Sequence, residues 1–222
     1  MDDSIETFQV ECLTVKIKVD DDPQDPRECD NLARLVCLHR RYTLGDKHSY
    51  KESNYDGWDD ILDAIREDTP LAAVLPLYLY DHGGISMSTG SFNDRWDSGR
   101  CGWAFVTLEV ALKEYGWKKI TPARVKKLEE YIRNEVKEYD QYLRGDVYGY
   151  VIEDEDGERL DSCWGYYGIK VVTAEATSAA KSEAEAIRTA AKEEDERVRV
   201  EAENLQASIL TSHEACLGGI AS

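Results

Sequence analysis

The stretch LPLYLYDHGGISMSTGSFNDRWDSGRCGWAFV, from Leu75 to Val106, decides how the rest of the chain folds. Apolar runs enter and leave it, and short apolar runs between turn residues are typical of buried strands. The segment between them combines acidic, basic and histidine side chains with several glycines. Reactive side chains on glycine-bearing turns between buried strands are the usual composition of a functional site, so we expect one here.

The charge balance of the chain limits the partners that it can bind. The 222 residues include 45 Asp and Glu against 27 Lys and Arg, so the formal net charge is -18. Such a chain repels nucleic-acid phosphates and anionic membranes unless its basic residues are concentrated locally. We therefore expect a protein partner with a basic surface, no membrane partner and no direct binding of nucleic acid.

Neither a membrane span nor a signal peptide is predicted. The longest apolar run, Leu71 to Tyr80, is interrupted by Pro76 and is too short to cross a bilayer. The N-terminus, MDDSIE, is acidic and lacks the apolar core of a signal peptide. The six cysteines are scattered without a CxxC pair, which indicates reduced and mostly buried thiols in a cytoplasmic protein.

Alternating or continuous apolar residues predict a set of strands. Phe8 to Val19 is predicted as one long strand, with a bulge near Cys12 and Leu13 where the alternation changes phase. Ala72 to Tyr80 is predicted as a central strand, with an irregularity or an edge position at Pro76. The other predicted strands are the end of Leu32–His39, Ile85–Thr89, Gly102–Val106 and a hairpin of Val147–Ile152 with Glu158–Trp164.

Apolar residues at helical spacing predict three helices in the first two thirds of the chain. Each has an apolar stripe for the core and a recognisable residue at one or both ends. They are Tyr55–Asp68, capped by Asp56; residues 108–115, between Thr107 and Gly116; and the segment from Thr121-Pro122 to Arg144.

The composition changes abruptly after Val172. Residues 174–212 are rich in Ala and Glu and contain no aromatic residue, Gly or Pro, which predicts one long helix. Alanine supplies little apolar area, so we expect this helix to dock on the domain or to self-associate weakly. We predict a globular domain in residues 1–170 and a helical tail in 171–222. The predicted fold is α+β: a mixed, mostly antiparallel sheet packed by about three helices, followed by a long acidic helix.

Two groups of polar residues are candidates for the functional site. The central stretch supplies Asp81, His82, Asp97 and Ser98 as candidate catalytic residues. The basic group His39-Arg40-Arg41 has the chemistry of a clamp for a phosphate or a carboxylate, although these arginines have many acids to pair with. Further candidate binding residues are Asp46, Asp161, Ser162 and Trp164.

Two nucleophilic mechanisms are compatible with these residues. A serine hydrolase would use Ser98, His82 and an aspartate, but WDSG is not the GxSxG elbow of such enzymes. A thiol enzyme would pair Cys163 with His82 or His39. Cys163 lies in a predicted strand between Ser162 and Trp164, where a cysteine usually packs, so neither mechanism is favoured.

A divalent-metal site and a structural role are the remaining alternatives. Carboxylates near strand ends hold Mg²⁺ or Mn²⁺ in many hydrolases. In the structural alternative, Asp and Ser accept turn amides, His82 bonds a backbone carbonyl, and Trp96, Trp103 and Trp164 pack the core. The candidate metal ligands are Asp46, Asp81, His82, Asp97, Asp146 and Asp161.

Several segments resemble a family of uncharacterised proteins encoded in bacteriophage genomes. The segments are HRRYTLGDKH (His39 to His48), LPLYLYDHGGISMST (Leu75 to Thr89), WDSGRCGW (Trp96 to Trp103) and YDQYLRGDVYGYVIEDEDGERLDSCWGYYG (Tyr139 to Gly168). The tail lies outside the resemblance. What the resemblance implies is a viral origin and action in the host cytoplasm; no activity and no catalytic residue comes with it.

Two functions therefore follow from the sequence. The first is a non-enzymatic phage accessory protein that binds host or viral macromolecules, with a role in host takeover or in countering host defence, and that requires no cofactor. The alternative is a phosphate or phosphodiester hydrolase that depends on Mg²⁺ or Mn²⁺ and uses the Asp and His residues of the central stretch.

Overall fold

The chain forms two compact units, each built from more than one segment. The computed structural model describes residues 3–94 and 96–218, with side chains described as far as residue 206. The central unit comprises Lys18–Gly149 and Cys163–Val172, and the helix unit comprises the chain up to Ile17, Tyr150–Ser162 and the chain from Thr173 onward. In chain order the elements are β1 (Glu6–Val10), β2 (Leu13–Val19), β3 (Arg34–Cys37), α1 (Trp58–Asp68), β4 (Leu71–Asp81), β5 (Ile85–Ser88), β6 (Ser98–Thr107), α2 (Leu108–Tyr115), α3 (Pro122–Leu143), β7 (Val147–Glu153), β8 (Arg159–Tyr167) and α4 (Ile169–Gly218).

The central unit is built on an antiparallel sheet with strand order β3-β6-β4-β5. The predicted central strand is β4, which pairs with β6 from Leu71 to Tyr80 and with β5 only from Tyr78 to Asp81. Pro76 lies before β5 begins, where β4 is paired on one side only and a strand tolerates proline. The predicted irregularity is present as a register shift between Leu77 and Tyr78.

Helices cover both faces of this sheet, and two separate cores result. On one face, Ile61, Leu62 and Ile65 of α1 pack with Trp103 and Phe105. On the other face, α2 and α3 contribute a larger core through Ala111, Leu128, Ile132, Val136 and Tyr139. Buried contacts of this kind stabilise the unit by about 25 cal/mol for each Å² of apolar area removed from water.

The predicted ends of α2 and α3 are confirmed, whereas α1 begins at Trp58, three residues after the predicted Tyr55. Thr107 accepts a hydrogen bond from the amide of Val110 at 3.2 Å, and Gly116 ends α2 in the left-handed conformation. The predicted capping role of Asp56 is wrong, because Gly57 occupies the N-cap of α1. The carboxylate of Asp60 instead reaches back to the amide of Asp56 at 3.2 Å.

The second sheet has the order β1-β2-β7-β8. The prediction of one long strand over Phe8–Val19 is wrong, since the phase change at Cys12 and Leu13 marks a tight turn between β1 and β2 instead of a bulge. Val10 pairs with Leu13, and Glu11 takes a positive φ of 55° to close the turn. The predicted hairpin of β7 and β8 is confirmed, with Gly157 in the left-handed region of its turn.

The exposure of the side chains of α4 changes sharply along the helix. Ala176, Ala180 and Ala184 recur every four residues and are almost completely buried, whereas residues 185–206 are exposed throughout. Within the helix unit, Thr173 donates to Glu6 at 3.4 Å and Arg188 to Glu11 at 3.4 Å, so this part of α4 lies along β1 and its turn. The division into residues 1–170 and 171–222 stays a prediction.

The α+β class is confirmed, with two antiparallel sheets and a long C-terminal helix. In the described part of the chain, no helix combines the length and the apolarity needed to cross a membrane. The prediction of mostly buried thiols is wrong: Cys12, Cys29 and Cys163 are exposed, and only Cys37 and Cys101 are buried among those described. The exposed thiols lie in a turn, a loop and a sheet face, and Cys216 falls outside the described side chains.

Candidate functional site

The pairing of β4 with β6 brings the two halves of the central stretch together. Tyr80 lies opposite Ser98, and the amide of Asp81 donates to the carbonyl of Asp97 at 2.8 Å. A cleft of about 300 Å³ opens at this end of the sheet. Its lining combines both candidate groups found in the sequence: His39, Arg41, Leu79, Asp81, Trp96, Asp97, Ser98, Gly99, Arg100 and Cys101.

Asp94 holds the turn that leads into β6. Its carboxylate accepts hydrogen bonds from the amides of Trp96 at 2.8 Å and Asp97 at 3.1 Å. The hydrogen bond from the Trp96 amide has the larger effect, and together the two bonds lower the pKa of Asp94. The hydroxyl of Ser98 donates to the carbonyl of Asp94. The turn therefore fixes Asp97 and Ser98 at the cleft by local hydrogen bonds.

Two side-chain pairs occupy the cleft and its rim. The Nδ1 atom of His82 lies 2.9 Å from a carboxylate oxygen of Asp97, and the His82 side chain is 69 % exposed. Arg41 binds one carboxylate oxygen of Asp81, and the Tyr42 hydroxyl donates to the other at 3.3 Å. The structural alternative for His82 is thus wrong, because its partner is the carboxylate of Asp97 and not a backbone carbonyl.

The basic group contributes one wall of the cleft. His39 stacks on Tyr42 with ring centroids 5.0 Å apart, and its Nδ1 accepts from the Arg41 amide at 3.4 Å. The Arg41 guanidinium lies 5.3 Å from the centroid of Tyr42 and is neutralised by Asp81. Arg40 is exposed. A two-arginine clamp is not assembled here, since Arg41 is already paired.

This arrangement contains part of the geometry of acid–base catalysis. The His82–Asp97 pair resembles the orienting half of a catalytic triad. A triad also needs a serine proton directed at the histidine, whereas Ser98 directs its proton to Asp94. Among the residues that the structure describes, no three His, Cys, Asp or Glu side chains form a group that could hold a metal ion.

The remaining candidate residues lie elsewhere. In the central unit, Asp146 pairs with Arg144 at 2.6 Å, and Trp164 lies on β8 directly over Gly149. In the helix unit, Asp161 accepts from the Tyr150 hydroxyl at 3.2 Å and from the amide of Ser162 at 2.7 Å.

The core role proposed for the three tryptophans holds only in part. Trp103 is buried, but Trp96 is 95 % exposed and Trp164 is 45 % exposed. Trp96 stands on the turn before β6, and Trp164 lies on β8. Trp103 faces α1, and its indole N–H donates to the Trp58 carbonyl at 2.9 Å.

Asp46 belongs to a half-buried ion cluster that the sequence analysis missed. Arg27 binds Asp46 at 2.8 Å and Glu135 at 3.2 Å, and its side chain is only 5 % exposed. The two carboxylates also accept backbone amides: Asp46 from Leu35 at 2.7 Å, and Glu135 from Leu32 at 2.8 Å. The sequence did contain one indication of this cluster, since Arg27 is the one basic residue in the acidic loop of residues 20–30.

A second concavity, the acidic pocket, was also missed. It has a volume of about 380 Å³ and combines carboxylates with tyrosine rings. Tyr115 and Tyr131 meet edge to face, with centroids 6.3 Å apart. Within the described chain, Asp30 and Glu114 are exposed and form no ion pair. The lining residues are Asp30, Asn31, Leu32, Val110, Glu114, Tyr115, Tyr131 and Glu135.

No protein-family model, curated protein or solved structure matches the chain.

Proposed function

We propose that this protein acts by binding a basic surface of another protein, as a phage accessory protein in the host cell. The acidic pocket is the observation that carries the proposal. Its two unpaired carboxylates, Asp30 and Glu114, attract a cation, and the ring of Tyr131 adds an aromatic contact. The net charge of -18 adds long-range attraction for a basic partner and speeds its encounter.

The pocket is suited to a lysine or arginine side chain inserted from a partner. Glu135 forms its rear wall and is held by Arg27 and by the Leu32 amide, so this carboxylate stays fixed. Val110 and Leu32 offer apolar contact for the aliphatic part of the inserted side chain. The free carboxylates at the mouth then pair with its charged end.

Binding of a short fluorescein-labelled peptide, in which lysine alternates with glycine, tests the proposal by fluorescence anisotropy. Asp30→Asn with Glu114→Gln should weaken binding about tenfold or more, because each lost charge pair is worth about 1 kcal/mol. The matched control is Glu155→Gln with Asp156→Asn in the exposed β7–β8 turn, which removes the same charge. An equal loss in both variants would mean that net charge alone attracts the peptide.

A second candidate function, a metal-dependent hydrolase, is favoured by the cleft between Asp81 and Asp97. His82, Asp97 and Asp81 do share one end of the sheet, as a reaction centre requires. For metal binding, Asp81 would have to exchange Arg41 for the ion. Calorimetric titration with Mn²⁺ of the wild type and of Asp81→Asn with Asp97→Asn tests this function. Heat of binding that disappears in the variant supports it, and no heat in either protein removes it.

A further inference from the structure

The turn between α2 and α3 concentrates positive charge on this acidic chain. Lys118 and Lys119 lie in this turn, Arg124 and Lys127 lie in the first two turns of α3, and we call these four residues the basic corner. Lys118, Lys119 and Lys127 are exposed. Among the ion pairs of the described residues, none involves any of the four, although the chain carries 45 acids. Their charge is therefore available to a ligand.

Aromatic rings hold two of these cations in place. Tyr115 and Trp117 stack with centroids 4.3 Å apart and an interplanar angle of 13°. Arg124 lies 4.7 Å from the centroid of Trp117, and Lys127 lies 4.5 Å from that of Tyr115. Cations fixed over rings lose less conformational freedom when they bind a ligand. The basic corner is thus partly organised for binding before any ligand arrives.

The backbone adds donors at the same place. Helix α3 begins at Pro122, and its N-cap residue, Thr121, makes no side-chain capping bond. The first amides of a helix attract anions through the helix dipole. Arg124 also donates to the carbonyl of Lys119 at 2.5 Å, which ties the turn to the first helical residues. A phosphate at this position would meet lysine charges and amide donors together.

We infer that the basic corner binds the phosphate backbone of a single-stranded nucleic acid. A single strand is favoured over a duplex because the rest of the surface is acidic. A duplex is stiff over about 150 base pairs and would carry its phosphates past neighbouring carboxylates, whereas a single strand can curve away. The aromatic faces are already covered by Arg124 and Lys127, so contact is to phosphates and not by base stacking. This inference does not rest on the proposed function: the two sites share Tyr115, but the charges that carry them are different residues.

Fluorescence anisotropy with labelled oligothymidine at low salt tests the inference on the full chain. The wild type should bind, and its affinity should fall as salt is added. Lys118→Glu with Lys119→Glu should weaken binding by about tenfold or more and flatten the salt dependence, by about 0.7 in logarithmic slope for each lost contact. The control, Lys170→Glu with Lys181→Glu, changes the same charge at exposed positions of α4 and should bind nearly as the wild type does.

Arg124→Gln with Lys127→Gln is the second variant, since it leaves the exposed turn lysines in place and should also weaken binding. Circular dichroism melting confirms that every variant is folded. Absence of wild-type binding, or an equal loss in the control, would overturn the inference. Tighter binding to a duplex of matched sequence, to vesicles containing phosphatidylserine or to polyglutamate would also overturn it, because a different anion would then be the ligand.

Discussion

Arg27 and Arg41 both bind carboxylates from distant parts of the sequence, yet their surroundings differ. The Arg27 side chain is 5 % exposed, and its partners Asp46 and Glu135 also accept amides of the β3 region. The Arg41 side chain is 65 % exposed, and its partner Asp81 lines an open cleft. Burial lowers the pKa of Arg27, but the hydrogen bonds and charges of Asp46 and Glu135 raise it overall. The half-buried Arg27 cluster holds the backbone at the start of β3, whereas the Arg41–Asp81 pair is accessible from solvent.

The buried and the exposed parts of α4 differ in the same way, over a larger surface. A chain that ends at Ile169 loses buried Ala176, Ala180 and Ala184, whereas one that ends at Lys192 keeps them and Arg188. We expect the first truncation to lower the free energy of unfolding by on the order of 5 kcal/mol, through lost apolar burial. The second should lower it by less than about 1 kcal/mol. Urea unfolding followed by circular dichroism measures both, and equal stability of the two chains would show that α4 contributes nothing to the core.

Arg27→Ala and Arg41→Ala test the comparison directly. Removing Arg27 leaves Asp46 and Glu135 without their cation in a poorly hydrated site, so we expect a loss of about 3–5 kcal/mol. Removing Arg41 breaks an exposed pair, and about 0–1 kcal/mol is expected. Urea unfolding at neutral pH gives both values. Losses of free energy of unfolding of similar size would mean that the exposure of an arginine does not decide how much its ion pairs stabilise the protein.

Substitution of Glu138 is expected to have the smallest effect on the free energy of unfolding. Burial, and then the charge of Glu135, raise its pKa above the ordinary value. The folded state therefore keeps this proton to higher pH than the unfolded state, and stability falls as pH rises through that window. Glu138→Gln should raise stability at pH 7 by only a few tenths of a kcal/mol, because the side chain is exposed and solvent screens its charge.

The pH profile provides the check on Glu138. The gain should vanish below about pH 4, where both states of the wild type are protonated. Thermal melting at a series of pH values measures it. A gain that persists in acid would instead indicate a packing effect of the amide.

Much of the fold follows from local patterns in the sequence. The caps Thr107 and Gly116, the stripe of α3 and the Asp-Gly turn of the last hairpin act through neighbouring residues, so periodicity and turn chemistry predict them. The β1–β2 turn was misplaced because a turn at Glu11 and a bulge produce the same change of phase. The separation of the strands into two sheets depends on pairing between distant segments, which no local pattern encodes.

The candidate site could be predicted only in part, for a related reason. The sequence identified Asp81, Asp97 and Ser98, because these residues stand together around one pair of strands. It did not predict that Arg41 joins them or that Asp46 belongs to Arg27, because ion pairs across long loops have no periodic signal. The basic corner was missed because its four cations are spread over residues 118–127, in a turn and a helix, and no periodic pattern joins them.

The exposure of Trp96 has an optical consequence. This indole is almost fully in solvent at the cleft, whereas Trp103 is buried beside α1. Its fluorescence should be emitted at long wavelength and quenched readily by acrylamide, and that of Trp103 should be emitted at shorter wavelength and resist quenching. Of the five tryptophans, Trp96 is the one that lines the cleft. A ligand that enters the cleft between Arg41 and Asp97 would dehydrate this indole, so the part of the emission that moves to shorter wavelength would report occupancy of the cleft.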